Sequence, residues 1–102
     1  MCSAKYLDEV VRPAVAKGAA HAGRSADEIA LTSMVICVIH DDVDRARREA
    51  ANQIAFYSSV KSYDGMLANG GFERQAATIR EAFAARDFDA MIAAVTDEMI
   101  DA

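Results

Sequence analysis

Apolar positions recur along this chain with two different periods, and the change of period falls at one place. From Ser3 to about Ala22, Tyr6, Leu7, Val10, Val11, Ala14 and Val15 return at three- and four-residue spacings, the stripe of an amphipathic helix. Ser3 stands where an N-cap belongs. Pro13 lies inside the stripe with no N–H to donate, so the pattern predicts either a kink there or a second helix beginning near Arg12. Gly23 ends the segment, and "GRSADEI" then sets Glu28 three residues after Ser25, a capping-box spacing that predicts one helical turn.

The stretch "IALTSMVICVIH", Ile29 to His40, breaks the helical period. In an extended chain Ile29, Leu31, Ser33, Val35, Cys37 and Ile39 point one way and Ala30, Thr32, Met34, Ile36, Val38 and His40 the other. Both sets are apolar, which predicts one strand over about residues 29–40, buried on both faces as in a parallel α/β sheet. Asp41 or Asp42 then caps a long helix. Val43, Ala46, Ala50, Ile54 and Tyr57 share one of its faces, Asp44 and Arg48 form an i,i+4 pair, and Asn69, Gly70 and Gly71 stop it. Helices from about Glu73 to Ala85 and from about Asp87 to Ala94 follow, the second with Phe88, Met91, Ile92 and Val95 inward. Thr96 caps a last one.

The expected fold class is therefore α/β but mostly α-helical, a single unit over residues 1–102 with one buried strand. Each backbone group of such a strand costs about 1–3 kcal/mol if it is buried without a partner. No second strand is legible to supply those partners. A homo-oligomer formed through strand 29–40 is one expected solution.

Composition narrows the classes. A hydrophobic fraction of 53% with 26% charged residues is that of a globular domain. No apolar run is long enough to span a membrane, and acids near the start replace a signal peptide's apolar core, so the expected location is cytoplasmic. A net charge of -5 argues against nucleic acid as a partner, because phosphate binding needs a basic face. Cys2 and Cys37 are read as reduced thiols; neither lies in a CxxC, and no metal site is expected.

Three pieces then stand out together: "YLDEVVRPAVAKGAAHAGR", the apolar run leading into "DDVDRARREAANQIAFY", and "GFERQAATIREAFAARDFDAMIAAVTDEMIDA". In order and spacing, Tyr6 to Ala102 resembles the C-terminal part of the luciferase-like monooxygenase family, in the branch that uses the deazaflavin coenzyme F420. The resemblance implies a partial TIM-like (β/α)8 barrel segment, with strand 29–40 as a late barrel strand. It also implies an oxidoreductase that moves a hydride between F420 or FMN and an organic substrate. The early strands that carry most cofactor contacts in that family are missing here. No cofactor-binding residue carries over, and the chain alone is expected to bind neither cofactor and to be inactive. The alternative is a small non-enzymatic helical protein that homodimerises through its strand.

Few residues offer chemistry. His40 ends the expected strand, where barrel active sites lie, and is the catalytic candidate. Its bland reading is a cap before the next helix. Asp41 and Asp42 form a carboxylate pair that adjacent placement at a helix start explains as capping. Tyr57, Lys61 and Tyr63 are substrate-binding candidates by the resemblance, against a simpler reading as core packing or an oligomer contact. Gly70-Gly71 lacks the rest of a phosphate loop, and His21 suits the negative end of its helix.

Overall fold

Ser3 caps the first helix, its hydroxyl accepting from the Tyr6 N–H at 3.2 Å in the computed structural model, which describes residues 3–102. Cys2 lies outside the described residues. Helix α1 (Ala4–Tyr6) runs through a π turn, Leu7–Val11, into α2 (Arg12–His21). Pro13 explains the widening. In a regular helix its ring would press on the Glu9 carbonyl and leave it without a donor. The wider turn, closed by the Arg12 N–H on the Leu7 carbonyl, accommodates it.

A capping box formed by Ser25 and Glu28 closes the 3-10 turn Ala26–Glu28. Beyond residues 29–42 the chain is helical again: α3 (Val43–Ser58), a 3-10 turn at Lys61–Tyr63, α4 (Asp64–Gly70), α5 (Glu73–Ala84), α6 (Phe88–Ala93) and α7 (Asp97–Asp101). The long helix expected from Val43 to Asn69 is thus two. The Ser59 hydroxyl turns back onto the Phe56 carbonyl at 2.7 Å and Val60 is extended, a local hydrogen bond competing with the helix.

Three helix ends share one device. A residue in the left-handed region follows the last turn, and two reversed N–H bonds close it. Gly23 (φ 68) does this after α2, Gly71 (φ 80) after α4 and Arg86 (φ 58) after α5. At the third, the Asp87 N–H reaches the Ala82 carbonyl and the Arg86 N–H the Phe83 carbonyl.

The core belongs to α3–α7. Ile54, Ala55, Met66, Leu67, Ala76, Ile79, Ala82, Met91 and Met99 form one buried cluster, with Tyr6 and Ile36 packed against its edge. Phe88, expected inside, is 55% exposed. The expected Asp44–Arg48 pair is replaced by Arg45–Glu49 at 3.0 Å, while Arg47 reaches across to Asp97 and Asp101 at 2.8 and 3.2 Å. Its hydrogen bond to Asp97 is the main reason the guanidinium is held above its ordinary pKa. The N-terminal helix is tied on at one end, by Lys5 Nζ to the Asn69 carbonyl at 2.8 Å and Asn69 Nδ2 to Glu9 at 2.9 Å. Only Ala19 of α2 is buried.

The expected buried strand does not form. Residues 30–40 carry no regular secondary structure, and the described residues contain no strand, sheet or barrel. No backbone–backbone hydrogen bond joins residues 30–40 to other described residues. A ladder needs a second strand, and the chain spends its remaining apolar patterning on helices. Without a ladder partner the segment is not buried: Met34 is 67%, Val35 75% and Ile39 93% exposed. A two-residue period survives, since Ile36 and Val38 are half-buried while Val35, Cys37 and Ile39 are exposed.

The whole molecule is correspondingly open. Its radius of gyration is 16.0 Å, against about 13 Å for a compact chain of this length. Its accessible surface is 6978 Å², about 1,400 Å² above the value for a folded monomer of its mass. No described helix is long and apolar enough to cross a membrane.

Candidate functional site

Besides a concavity of about 520 Å³ lined by residues 36–40 with Val43, Arg47 and Ile100, a larger one that mixes polar and apolar walls lies between residues 34–38 and α3. It is an open groove of about 710 Å³. Its floor is the face of α3 that carries Arg45, Arg48, Asn52 and Tyr57, and its rim is Met34 to Val38. The spacing of Arg45, Arg48 and Asn52 puts them on one helical stripe, beside the stripe that buries Ala51, Ile54, Ala55 and Ser58. Arg45 is engaged by Glu49, whereas Arg48 makes no ion pair with any described residue. Below Met34 to Ile36 sits a smaller apolar cavity of about 120 Å³, walled by Ile54, Leu67, Phe72 and Met99.

His40 does not face this groove. Its Nδ1 accepts the Asp42 N–H at 2.8 Å, and the Asp42 carboxylate in turn accepts the Arg45 N–H at 3.1 Å. The pair starts α3, Asp42 as its N-cap. A ring that accepts at Nδ1 carries its proton on Nε2 when neutral. Asp41 is exposed beside it.

Tyr57 and Tyr63 meet edge to face with centroids 5.6 Å apart, and Phe56 meets Tyr57 in the same way at 5.7 Å. Tyr57 lines the groove; Lys61 is exposed in the following 3-10 turn. His40 and Tyr57 stand at opposite ends of α3, separated by about 20 Å of helix rise. The catalytic candidate and the three substrate-binding candidates are therefore not one constellation. His21 is exposed in the last turn of α2, and Cys37 is a free, exposed thiol. No three His, Cys, Asp or Glu side chains among the described residues converge in a way that could hold a metal ion.

Sequence reasoning missed Arg45, Arg48 and Asn52. The signal was present in their i, i+3, i+7 spacing, but in the sequence Arg48 reads only as the i,i+4 partner of Asp44. Only the crossing of residues 34–38 over that face turns it into a groove.

The sequence pattern that defines the luciferase-like monooxygenases matches residues 3–102. The chain belongs to the luciferase-like monooxygenase family. Relatives include an uncharacterized protein of Mycobacterium tuberculosis, 32% identical over 105 residues, which take in 100% of this chain and 31% of that protein. Another is a 5,10-methylenetetrahydromethanopterin reductase of Methanopyrus kandleri, 35% identical over 95 residues, 92% of this chain and 27% of the reductase. This luciferase-like chain thus spans about a third of the length of the curated relatives it matches. No solved structure matches it.

A flavin or deazaflavin presents a flat three-ring system that a site has to cover on both faces. Here the groove's outer rim includes Met34 and Val35, which face water, and Arg45, Arg48, Glu49, Asn52 and Gln53 along its floor are all exposed. The 120 Å³ cavity is smaller than the roughly 300–1,000 Å³ of ligand pockets. The residues present do not fit either cofactor.

Proposed function

We propose that this luciferase-like chain serves as the helical C-terminal part of an F420- or FMN-dependent oxidoreductase and holds no complete active site of its own. The observation that carries the reading is the match to the family over residues 3–102 in a chain spanning 27% of a relative named as a reductase. What these residues contribute is the α3–α7 helical body and, along α3, the groove bearing Arg48 and Tyr57. A cytoplasmic setting agrees with the exposed Cys37 thiol, which a reducing compartment would preserve.

The test is a titration of FMN and of coenzyme F420 into the 102-residue chain, followed by fluorescence. It is paired with the same titration of a chimera in which residues 3–102 replace the matching 27% of the Methanopyrus reductase. The chain alone is expected to show no saturable binding in the micromolar range and the chimera to bind one cofactor. Micromolar binding by the chain alone would contradict the incomplete site. A folded chimera that binds neither would contradict the assigned role.

A further inference from the structure

We propose that Asn69 is a site of deamidation, and that its conversion to aspartate or isoaspartate loosens the N-terminal helix from α4. The proposal is independent of the cofactor chemistry above.

The sequence supplies the reactive pair. Asn69 is followed by Gly70, and glycine leaves the attacking peptide nitrogen unshielded because it has no Cβ. The chain's other asparagine, Asn52, precedes Gln53 in the middle of α3. The structure shows what holds both members of the pair in place. A Cβ on residue 70 would come within 2.6 Å of the Phe72 ring, and Phe72 packs against the core. Asn69 donates Nδ2 to Glu9 at 2.9 Å, and its backbone carbonyl accepts from Lys5 Nζ at 2.8 Å. One residue thus ties both α1 and the π turn to the end of α4.

In the reaction the Gly70 nitrogen bonds to Asn69 Cγ, the Cγ–Nδ2 bond breaks, and the Gly70 amide proton leaves with Nδ2 as ammonia. Water then opens the cyclic imide. Attack at Cγ gives aspartate; attack at the former backbone carbonyl gives isoaspartate, whose main chain runs through Cγ. A helical backbone at Asn69 holds the Gly70 nitrogen away from Cγ, so the reaction runs through opening of the last turn of α4. That turn is the end of a seven-residue helix, closed by the Gly71 N–H on the Ala68 carbonyl and the Phe72 N–H on the Leu67 carbonyl. Such ends open far more often than a whole fold does.

Either product removes the tie. An aspartate at 69 has no donor to offer Glu9. One of its oxygens stands where Nδ2 stood, against the Glu9 carboxylate, and the other where Oδ1 now lies buried without a partner. Both positions oppose a negative charge. An isoaspartate adds a main-chain atom inside the turn that Phe72 closes on Leu67.

The full chain is aged at mildly alkaline pH, digested and read by mass spectrometry and by an isoaspartate assay, with hydrogen exchange of aged and fresh samples in parallel. The peptide holding Asn69 is expected to gain about one mass unit, at a rate about tenfold or more above that of the peptide holding Asn52. Amides of residues 4–11 should exchange about tenfold or more faster in the aged chain and in fresh Asn69→Asp, with α5 as protected as before. Asn69→Gln, whose longer side chain closes its ring far more slowly, should age without further loss of that protection. Equal conversion at Asn69 and Asn52, parent-like protection of residues 4–11 in Asn69→Asp, or the same loss on ageing in Asn69→Gln would each overturn the proposal.

Discussion

Replacing Ile79 with Ala is expected to lower the unfolding free energy by about 2–5 kcal/mol, whereas Ile39→Ala changes it by less than about 0.5 kcal/mol. The same side chain is shortened in the same way; only its surroundings differ. Ile79 is 0% exposed on α5, inside the cluster built by Ile54, Leu67, Met91 and Met99, while Ile39 is 93% exposed. Shortening Ile79 leaves a cavity the helices cannot fully close, in a fold whose total stability is about 5–15 kcal/mol. Urea titrations of both variants, at concentrations where the chain is monomeric, check the pair. Equal losses at the two sites would mean that residue 39 is buried after all.

Met99→Ala is the second. Met99 is the buried residue of α7, a helix of five residues that cannot persist without packing. The variant should release α7 while α3 and α5 stay folded, so the local loss exceeds the global one. Apart from Ile100, which packs at the edge of the core, the remaining ties are polar: Arg47 to Asp97 and Asp101, and Glu98, whose carboxylate is held below its ordinary value of 4.5 chiefly by its own backbone N–H. A lowered folded-state pKa means the contribution is present above pH 4.5 and is lost as pH falls through the lowered value. Hydrogen exchange of α7 amides, expressed as protection relative to unstructured peptide at the same pH and read in Met99→Ala and in the parent at descending pH, should show less protection in the variant and less still in acid. Protection of α7 equal to that of α5 in the variant would contradict this.

The caps were legible because they are local. Ser3, Ser25 with Glu28, and Asp42 each need only a side-chain oxygen two or three residues from an N–H, and all three act as caps, whereas Thr96, also expected to cap, stands before α7 without a side-chain cap hydrogen bond. The break at Pro13 was legible for the same reason. What the sequence concealed depends on partners far along the chain. Arg47 to Asp97, Lys5 to Asn69 and Asn69 to Glu9 are contacts across 50 to 64 residues, and no spacing announces them. The apolar run at 29–40 was read as a buried strand because burial of both faces is what such a run usually means. Burial, however, is supplied by neighbours, and among the described residues α3, the edge of the core and, beside Ile29 and Leu31, the start of α2 cover it only in part. Of the candidate site, Tyr57 was found and Arg48 missed, since a groove made by one segment crossing another has no signature in either segment alone.

The central claim is that the apolar segment of this luciferase-like chain makes no backbone ladder with the other described residues. Backbone amide exchange of residues 30–39 at decreasing concentration tests it most directly. Exchange near the rate of unstructured peptide at high dilution, with α3 and α5 still protected, is the expected result. Protection of residues 30–39 as strong as that of α3 at every dilution would contradict it, because those amides would then have partners within a single chain.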